Sequence, residues 1–198
     1  MMGRAISVLR HKAVLAGLLS LMTITFTLAD EPSPFDAATG YRISRYRAPV
    51  PDTVPGGTRI SLETLDTLVA KEHAVLLDVL ASEGGGPDPA SGEWRLSKEH
   101  RNIPGSTWLS DVGKGELTPE IDTYYRENLA RLAGGNTAAP IIIYCQADCW
   151  QSWNAVKRAA SYGYTRLYWY PEGIDGWSEW EDRPRALSRP VALKVARP

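Results

Sequence analysis

Apolar positions along the chain change period several times, and each change marks a predicted element. Leu62, Leu65, Leu68 and Val69 recur at helical spacing, so the pattern predicts a helix from the capping residue Ser61 to about Lys71 with these four on one face. The segment Ala74-Val75-Leu76-Leu77-Asp78-Val79 then reads as a buried strand. Glu83 to Asn102 holds Gly84-Gly85-Gly86-Pro87 and Pro89, too many breakers for a regular element, so a long excursion is expected before Ile103-Pro104-Gly105 and a short strand Ser106 to Leu109. Thr118-Pro119-Glu120 opens a helix that reaches about Leu132, and Gly134-Gly135-Asn136 ends the helical stretch. Ile141 to Tyr144 follows as the central strand, Trp150 to Tyr162 as a helix closed by Gly163, and Arg166 to Tyr170 as a last strand. Helices alternating with apolar strands predict an α/β domain, a three-layer α/β/α arrangement around a mostly parallel sheet. Ligands of such sheets bind at the carboxyl ends of the strands, where Asp78 and Cys145 both fall.

The two ends of the chain do not follow this pattern. Arg4, Arg10 and Lys12 precede the apolar stretch Ala13 to Leu28, and Thr27-Leu28-Ala29 supplies small residues of the kind a signal peptidase prefers. Residues 1–29 are therefore expected to be a cleaved export signal, the alternative being an uncleaved membrane anchor. Residues 30–57, rich in Pro and Gly, read as an extended arm lying on a domain that spans 58–183, and 184–198 as a tail. Export, here to the periplasm, puts the cysteines in a compartment where disulfides persist. The chain has 22 Lys and Arg against 23 Asp and Glu, net −1, and loss of the three basic residues takes it to −4. Nucleic acid and anionic membrane surfaces are thus not expected partners.

Both cysteines lie in Tyr144-Cys145-Gln146-Ala147-Asp148-Cys149-Trp150, between the central strand and the next helix. A strand, a short loop and a helix start place backbone N–H groups and the positive helix end around whatever the first cysteine carries. Such surroundings favour a thiolate, which makes Cys145 the expected nucleophile and Cys149 its partner. The competing reading is a structural bridge or two inert buried thiols. A bridge closing five residues constrains the unfolded chain by only about 2 kcal/mol and ties no distant segments together. The spacing excludes a c-type haem site, and Cu(I) binding would rest on the two thiols alone, because nothing in the sequence brings His73 or His100 to the loop. No cofactor and no metal are expected.

Leu76-Leu77-Asp78-Val79, Ile103-Pro104-Gly105-Ser106, Tyr144-Cys145 before a helix, and the turn Glu172 to Trp177 occur in an order and spacing that resemble the rhodanese-like domain over roughly Thr58 to Trp180. More closely, Cys149-Trp150-Gln151-Ser152-Trp153-Asn154-Ala155 with Trp169 to Gly173 and Asp175-Gly176-Trp177 resembles the exported Cys-x-x-Cys-Trp proteins associated with pyrroloquinoline-quinone-dependent catabolism, although three residues separate the cysteines here. The resemblance implies that Cys145 matches the sulfur-carrying cysteine and that Gln146, Ala147, Asp148, Cys149 and Trp150 form the substrate-cradling loop. Asp148 and Trp150 stand where thiosulfate-using members usually carry Gly and Arg, and Leu80 replaces an Arg that often follows the strand Asp. A carboxylate repels thiosulfate, so thiosulfate is not the expected substrate.

Two functions follow as expectations. One is sulfur transfer from a small sulfur donor or thiol through a Cys145 persulfide that Cys149 discharges. The other is a noncatalytic or thiol-disulfide accessory role for a quinoprotein dehydrogenase or its cytochrome. Trp150, Trp153, Trp169, Trp177 and Trp180 read as core or wall, with a quinone-stacking surface as the alternative. Asp78 is expected to orient loop amides or arginines, or simply to make a turn.

Overall fold

The computed structural model describes residues 32–179 and 183–194. The expected export signal lies outside them, as does Trp180. Eleven elements follow in chain order: β1 (Thr58–Arg59), α1 (Leu62–Glu72), β2 (Val75–Asp78), β3 (His100–Asn102), β4 (Thr107–Trp108), α2 (Pro119–Leu132), β5 (Ile141–Tyr144), α3 (Trp150–Ser161), β6 (Leu167–Tyr170), α4 (Gly173–Glu179) and β7 (Ala186–Ser188).

Helix ends fall where the side chains dictate. Ser61 Oγ accepts the Thr64 N–H and Thr118 Oγ1 the Ile121 N–H, each satisfying a backbone donor that the first helical turn leaves free. The buried strands β2 and β5 lie next to each other inside a five-stranded, wholly parallel sheet of order β1-β6-β5-β2-β4. Two apolar layers cover it. Leu77, Ile141, Ile143 and Trp169 pack with Tyr125 and Leu129 of α2 and with Ala155, Val156 and Ala159 of α3. Leu76, Ile142, Tyr144 and Tyr170 pack with Leu65 and Leu68 of α1 and Ile174 of α4. The expected α/β architecture with a mostly parallel sheet is present.

Several local expectations are corrected. Val69, placed on the inner face of α1, is 38% exposed, because the face that meets the sheet is centred on Leu65 and Leu68. The excursion after Glu83 ends in a regular strand: β3 pairs antiparallel with β7 from the C-terminal segment. The Gly/Trp turn at 172–177 is the start of α4, and the two-residue edge strand β1 was not foreseen. The arm belongs to the same compact unit as the sheet, which begins at Ser33.

Register sets up the site. Leu77 lies beside Ile143 and Asp78 beside Tyr144, so β2 and β5 end level with one another, and Cys145 is the first residue past the edge.

Candidate active site

Side chains alternate across a strand, so Cys145 continues the face of Ile143 and packs with the α2/α3 layer, whereas Asp78 follows Leu76 onto the other side. The loop after Cys145 is gripped from both flanks. On one flank the Ile174 N–H donates to the Cys145 carbonyl (3.0 Å), the Ala147 N–H to Asp175 Oδ2 (3.1 Å), and Gln146 bridges Gly173. Gly173 has φ +55°, and a Cβ there would stand 2.6 Å from the Cys145 oxygen, so this approach needs glycine.

The arm forms the other flank. Its Ala48 N–H donates to the Asp148 carbonyl and the Trp150 N–H donates to the Tyr46 carbonyl, both at 2.9 Å, which makes Arg47 and Cys149 an antiparallel bridge. Helix α3 holds the rest of the arm by its backbone. Trp150 Nε1 donates to the Pro49 carbonyl (3.0 Å) and Trp153 Nε1 to that of Thr53 (2.9 Å). Buried Asn154 accepts the Arg42 N–H (3.1 Å) and returns a bond to the Arg42 carbonyl (2.8 Å), while also donating to Gly113 (3.0 Å). Phe35 stands edge-on to Trp150, with the Arg42 guanidinium 4.8 Å from the Trp150 ring. Trp150, expected at the substrate, is thus turned toward the arm.

Both thiols are free and almost fully covered, Cys145 at 1% and Cys149 at 2% exposure. Cys145 Sγ lies 3.2 Å from Ser152 Oγ and 3.4 Å from the Cys149 carbonyl. Ser152 Oγ also accepts the Trp169 indole N–H (2.9 Å), which fixes the hydroxyl. Cys149 is the N-cap of α3, with extended backbone (φ −123°, ψ 116°), the position usually given to Ser or Asp. Burial pushes the Cys145 thiol well up, and the neighbouring Cys149 acts in the same direction. Cys149 is held below the ordinary thiol value by the hydrogen bond it accepts from Cys145, which outweighs burial, and then by the N–H groups of Gln151 and Gln146 and the charge of Arg47. Of the two thiols it is thus Cys149, rather than the Cys145 expected from the sequence, that is lowered.

Asp148, at φ +50°, is exposed on the outer side of the loop. Asp78 touches neither loop amides nor an arginine. Its Oδ1 accepts the Leu80 N–H (2.9 Å), and its Oδ2 meets His100 Nε2 at 2.6 Å, with the imidazole stacked 3.9 Å from the Trp108 ring. Burial pushes the Asp78 carboxyl up, against the pull of His100. Sequence reasoning did not place His100 because the strand pairing β3–β7 that delivers it has no local signature.

A pattern for the Rhodanese-like domain matches residues 61–179. The chain belongs to the rhodanese-like family. No curated protein matches it. Among solved structures, an EanB variant in complex with hercynine is 17% identical with TM-score 0.43, the alignment covering 67% of this chain and 32% of that one. Another EanB variant, in complex with ergothioneine, is 16% identical with TM-score 0.43 over the same shares. The rhodanese-like chain thus spans about a third of the length of those structures.

Among the described residues of this rhodanese-like chain, no group of three or more His, Cys, Asp or Glu is gathered for a metal. No described helix is long and apolar enough to cross a membrane. What the loop does offer is a pair of free, buried thiols, Cys145 pushed up by burial and Cys149 drawn down by its neighbour.

Proposed function

We propose that this rhodanese-like protein cycles between a dithiol and a Cys145–Cys149 disulfide, as an exported accessory to quinoprotein-dependent alcohol oxidation. The observation that carries the reading is that both thiols are free and buried at the junction of β5 and α3, with Cys145 Sγ 3.4 Å from the carbonyl of Cys149, the N-cap residue. A persulfide on Cys145 would need room and donors for its outer sulfur, whereas Cys145 Sγ is buried against Ser152 Oγ and the Cys149 carbonyl.

In the proposed step the Cys149 thiolate attacks one sulfur of a partner disulfide and expels the partner's first thiolate. Cys145 then gives up its proton and attacks Cys149 Sγ in the mixed disulfide, releasing the second thiolate. Two electrons pass to the partner, the Cys145 proton and one from solvent end on its thiols, and a small or protein thiol reverses the cycle. Ser152 keeps Cys145 oriented toward Cys149 throughout. Export is supported by the basic start, the apolar stretch to Leu28 and Thr27-Leu28-Ala29. The quinoprotein link is supported by the segments Cys149 to Ala155 and Trp169 to Trp177, which resemble the exported catabolism-associated proteins.

Sulfur transfer through a Cys145 persulfide is the second reading, favoured by the position of Cys145 at the end of β5 in a rhodanese-like domain. Intact mass and thiol counts of wild type, Cys145→Ser and Cys149→Ser separate the two. Loss of two hydrogens on exposure to an oxidised small-molecule disulfide, with no lasting gain from a sulfane-sulfur donor, is the expected outcome. A stable gain of one sulfur on Cys145 would overturn it. The mature chain is expected to begin at Asp30.

A further inference from the structure

The loop that carries both thiols contributes no cation of its own. Its one charged residue is Asp148. The arm supplies what the loop lacks. The bonds from Ala48 N–H to Asp148 and from Trp150 N–H to Tyr46 flank Arg47 and Cys149 without joining them. This is the non-hydrogen-bonded type of antiparallel pair, whose Cα atoms approach to about 4.5 Å and whose side chains leave on the same side, closer together than in the other type. Arg47 is therefore next to Cys149 by backbone geometry.

The side chain of Arg47 is also free of any part in holding the arm. The arm is retained through main-chain atoms of Arg42, Tyr46, Ala48, Pro49 and Thr53 and through the Tyr46 hydroxyl, which accepts the Gly115 N–H at 3.0 Å. Arg47 is exposed, and among the described residues it forms no ion pair. Cys149 is buried beneath, and Arg47 stands where the arm meets the loop that carries it. Asp148, the one charged residue of the loop, is exposed.

We propose that Arg47 is the specificity-determining residue of the thiol site: its guanidinium, delivered by the arm, selects thiols and disulfides that carry a carboxylate or another anionic group beside the reacting sulfur. This deepens the dithiol reading, on which it rests. A guanidinium can grip a carboxylate through two parallel N–H bonds, which would also orient the incoming sulfur toward Cys149.

The test compares two chromogenic aromatic disulfides, one bearing carboxylates and one neutral, reacting with the reduced full-length mature protein. The readout is the ratio of their initial rates, in which any change in the thiolate fraction of Cys149 cancels. Arg47→Gln is expected to lower the ratio roughly fivefold, the scale of one pair of unit charges about 4 Å apart in bulk water. Arg47→Lys should restore most of it, Arg47→Glu should lower it further, and 1 M salt should bring wild type and Arg47→Gln together. A ratio unchanged in Arg47→Gln and Arg47→Glu overturns the proposal, as does a loss that salt does not touch. Tryptophan fluorescence from Trp150 and Trp153 checks that the arm stays docked in each variant. Disulfide formation between Cys145 and Cys149 is scored separately by mass. If it occurs with no change in ratio, Arg47 alone is rejected; if the ratio falls but no disulfide ever forms, the dithiol reading is rejected.

Discussion

Asn154→Ala is the sharpest test of how the arm is held. Asn154 is fully buried, and its amide closes both backbone groups of Arg42 and the carbonyl of Gly113. Truncation removes three hydrogen bonds and leaves one buried N–H and two carbonyls to find other partners. At about 1 kcal/mol for each bond, the variant should lose about 3 kcal/mol of stability. For a domain of this size that corresponds to a fall in Tm of about 6–12 °C. The loss should be local in character, because the sheet and its two layers are untouched. Urea unfolding gives the global cost, and limited proteolysis across residues 38–54 reports the arm directly. Alkylation of Cys149 by a neutral reagent should accelerate as the arm comes off the loop. A variant within about 0.5 kcal/mol of wild type, with the arm still protected, would refute the claim that this amide anchors it.

Further outcomes are expected elsewhere in the site. Gly173→Ala forces a left-handed φ on a residue whose Cβ would meet the Cys145 carbonyl, and should cost about 1–3 kcal/mol by denaturant melt, together with slower disulfide closure. Ser152→Ala strands the Trp169 indole N–H and frees Cys145, and should cost about 1–3 kcal/mol by the same assay. Cys145→Ala removes the neighbour that most lowers the Cys149 thiol, so the midpoint of the pH–alkylation profile of Cys149 should move up and its rate at neutral pH should fall. In wild type the Cys149 contribution to stability is fully present above the ordinary thiol value of about 8.5 and is lost as pH falls through its lower folded value. His100→Ala leaves the Asp78 carboxyl buried without its imidazole, for which about 3–5 kcal/mol is the expected cost at neutral pH. Burial raises that carboxyl, so the deficit should shrink as pH drops toward the ordinary carboxylate range, measured as urea stability against pH.

Local patterns carried the strands and helices that pack on the sheet, because each needs its own run of apolar residues at the right period. Ile141 to Tyr144 and the span from Thr118 to Leu132 were legible for that reason. The short strands β1, β3 and β7 have two or three residues each, too few to show a period, and exist because a partner strand or loop is near. Val69 was misplaced because helical spacing fixes a face but not how far the neighbouring layer extends around it. The loop with both cysteines was legible from its flanking strand and helix, yet the distribution of charge between them was not. That depends on Cys149 occupying the N-cap while Cys145 is one residue past β5, a difference of a few ångströms that spacing does not encode. The Trp150, Trp153 and Asn154 cluster was visible as a distinctive segment, and its work, reading the backbone of a distant arm, became apparent only when residues more than 100 positions apart were brought together.

The N-cap role of Cys149 has a consequence for the direction in which electrons flow. Surroundings that lower the Cys149 thiol favour the thiolate of the reduced protein, and the disulfide, being uncharged, receives no matching benefit. Reduction of the Cys145–Cys149 bond is thereby favoured over reduction of an ordinary bridge. The oxidised protein would then act as an oxidant toward the thiols it meets.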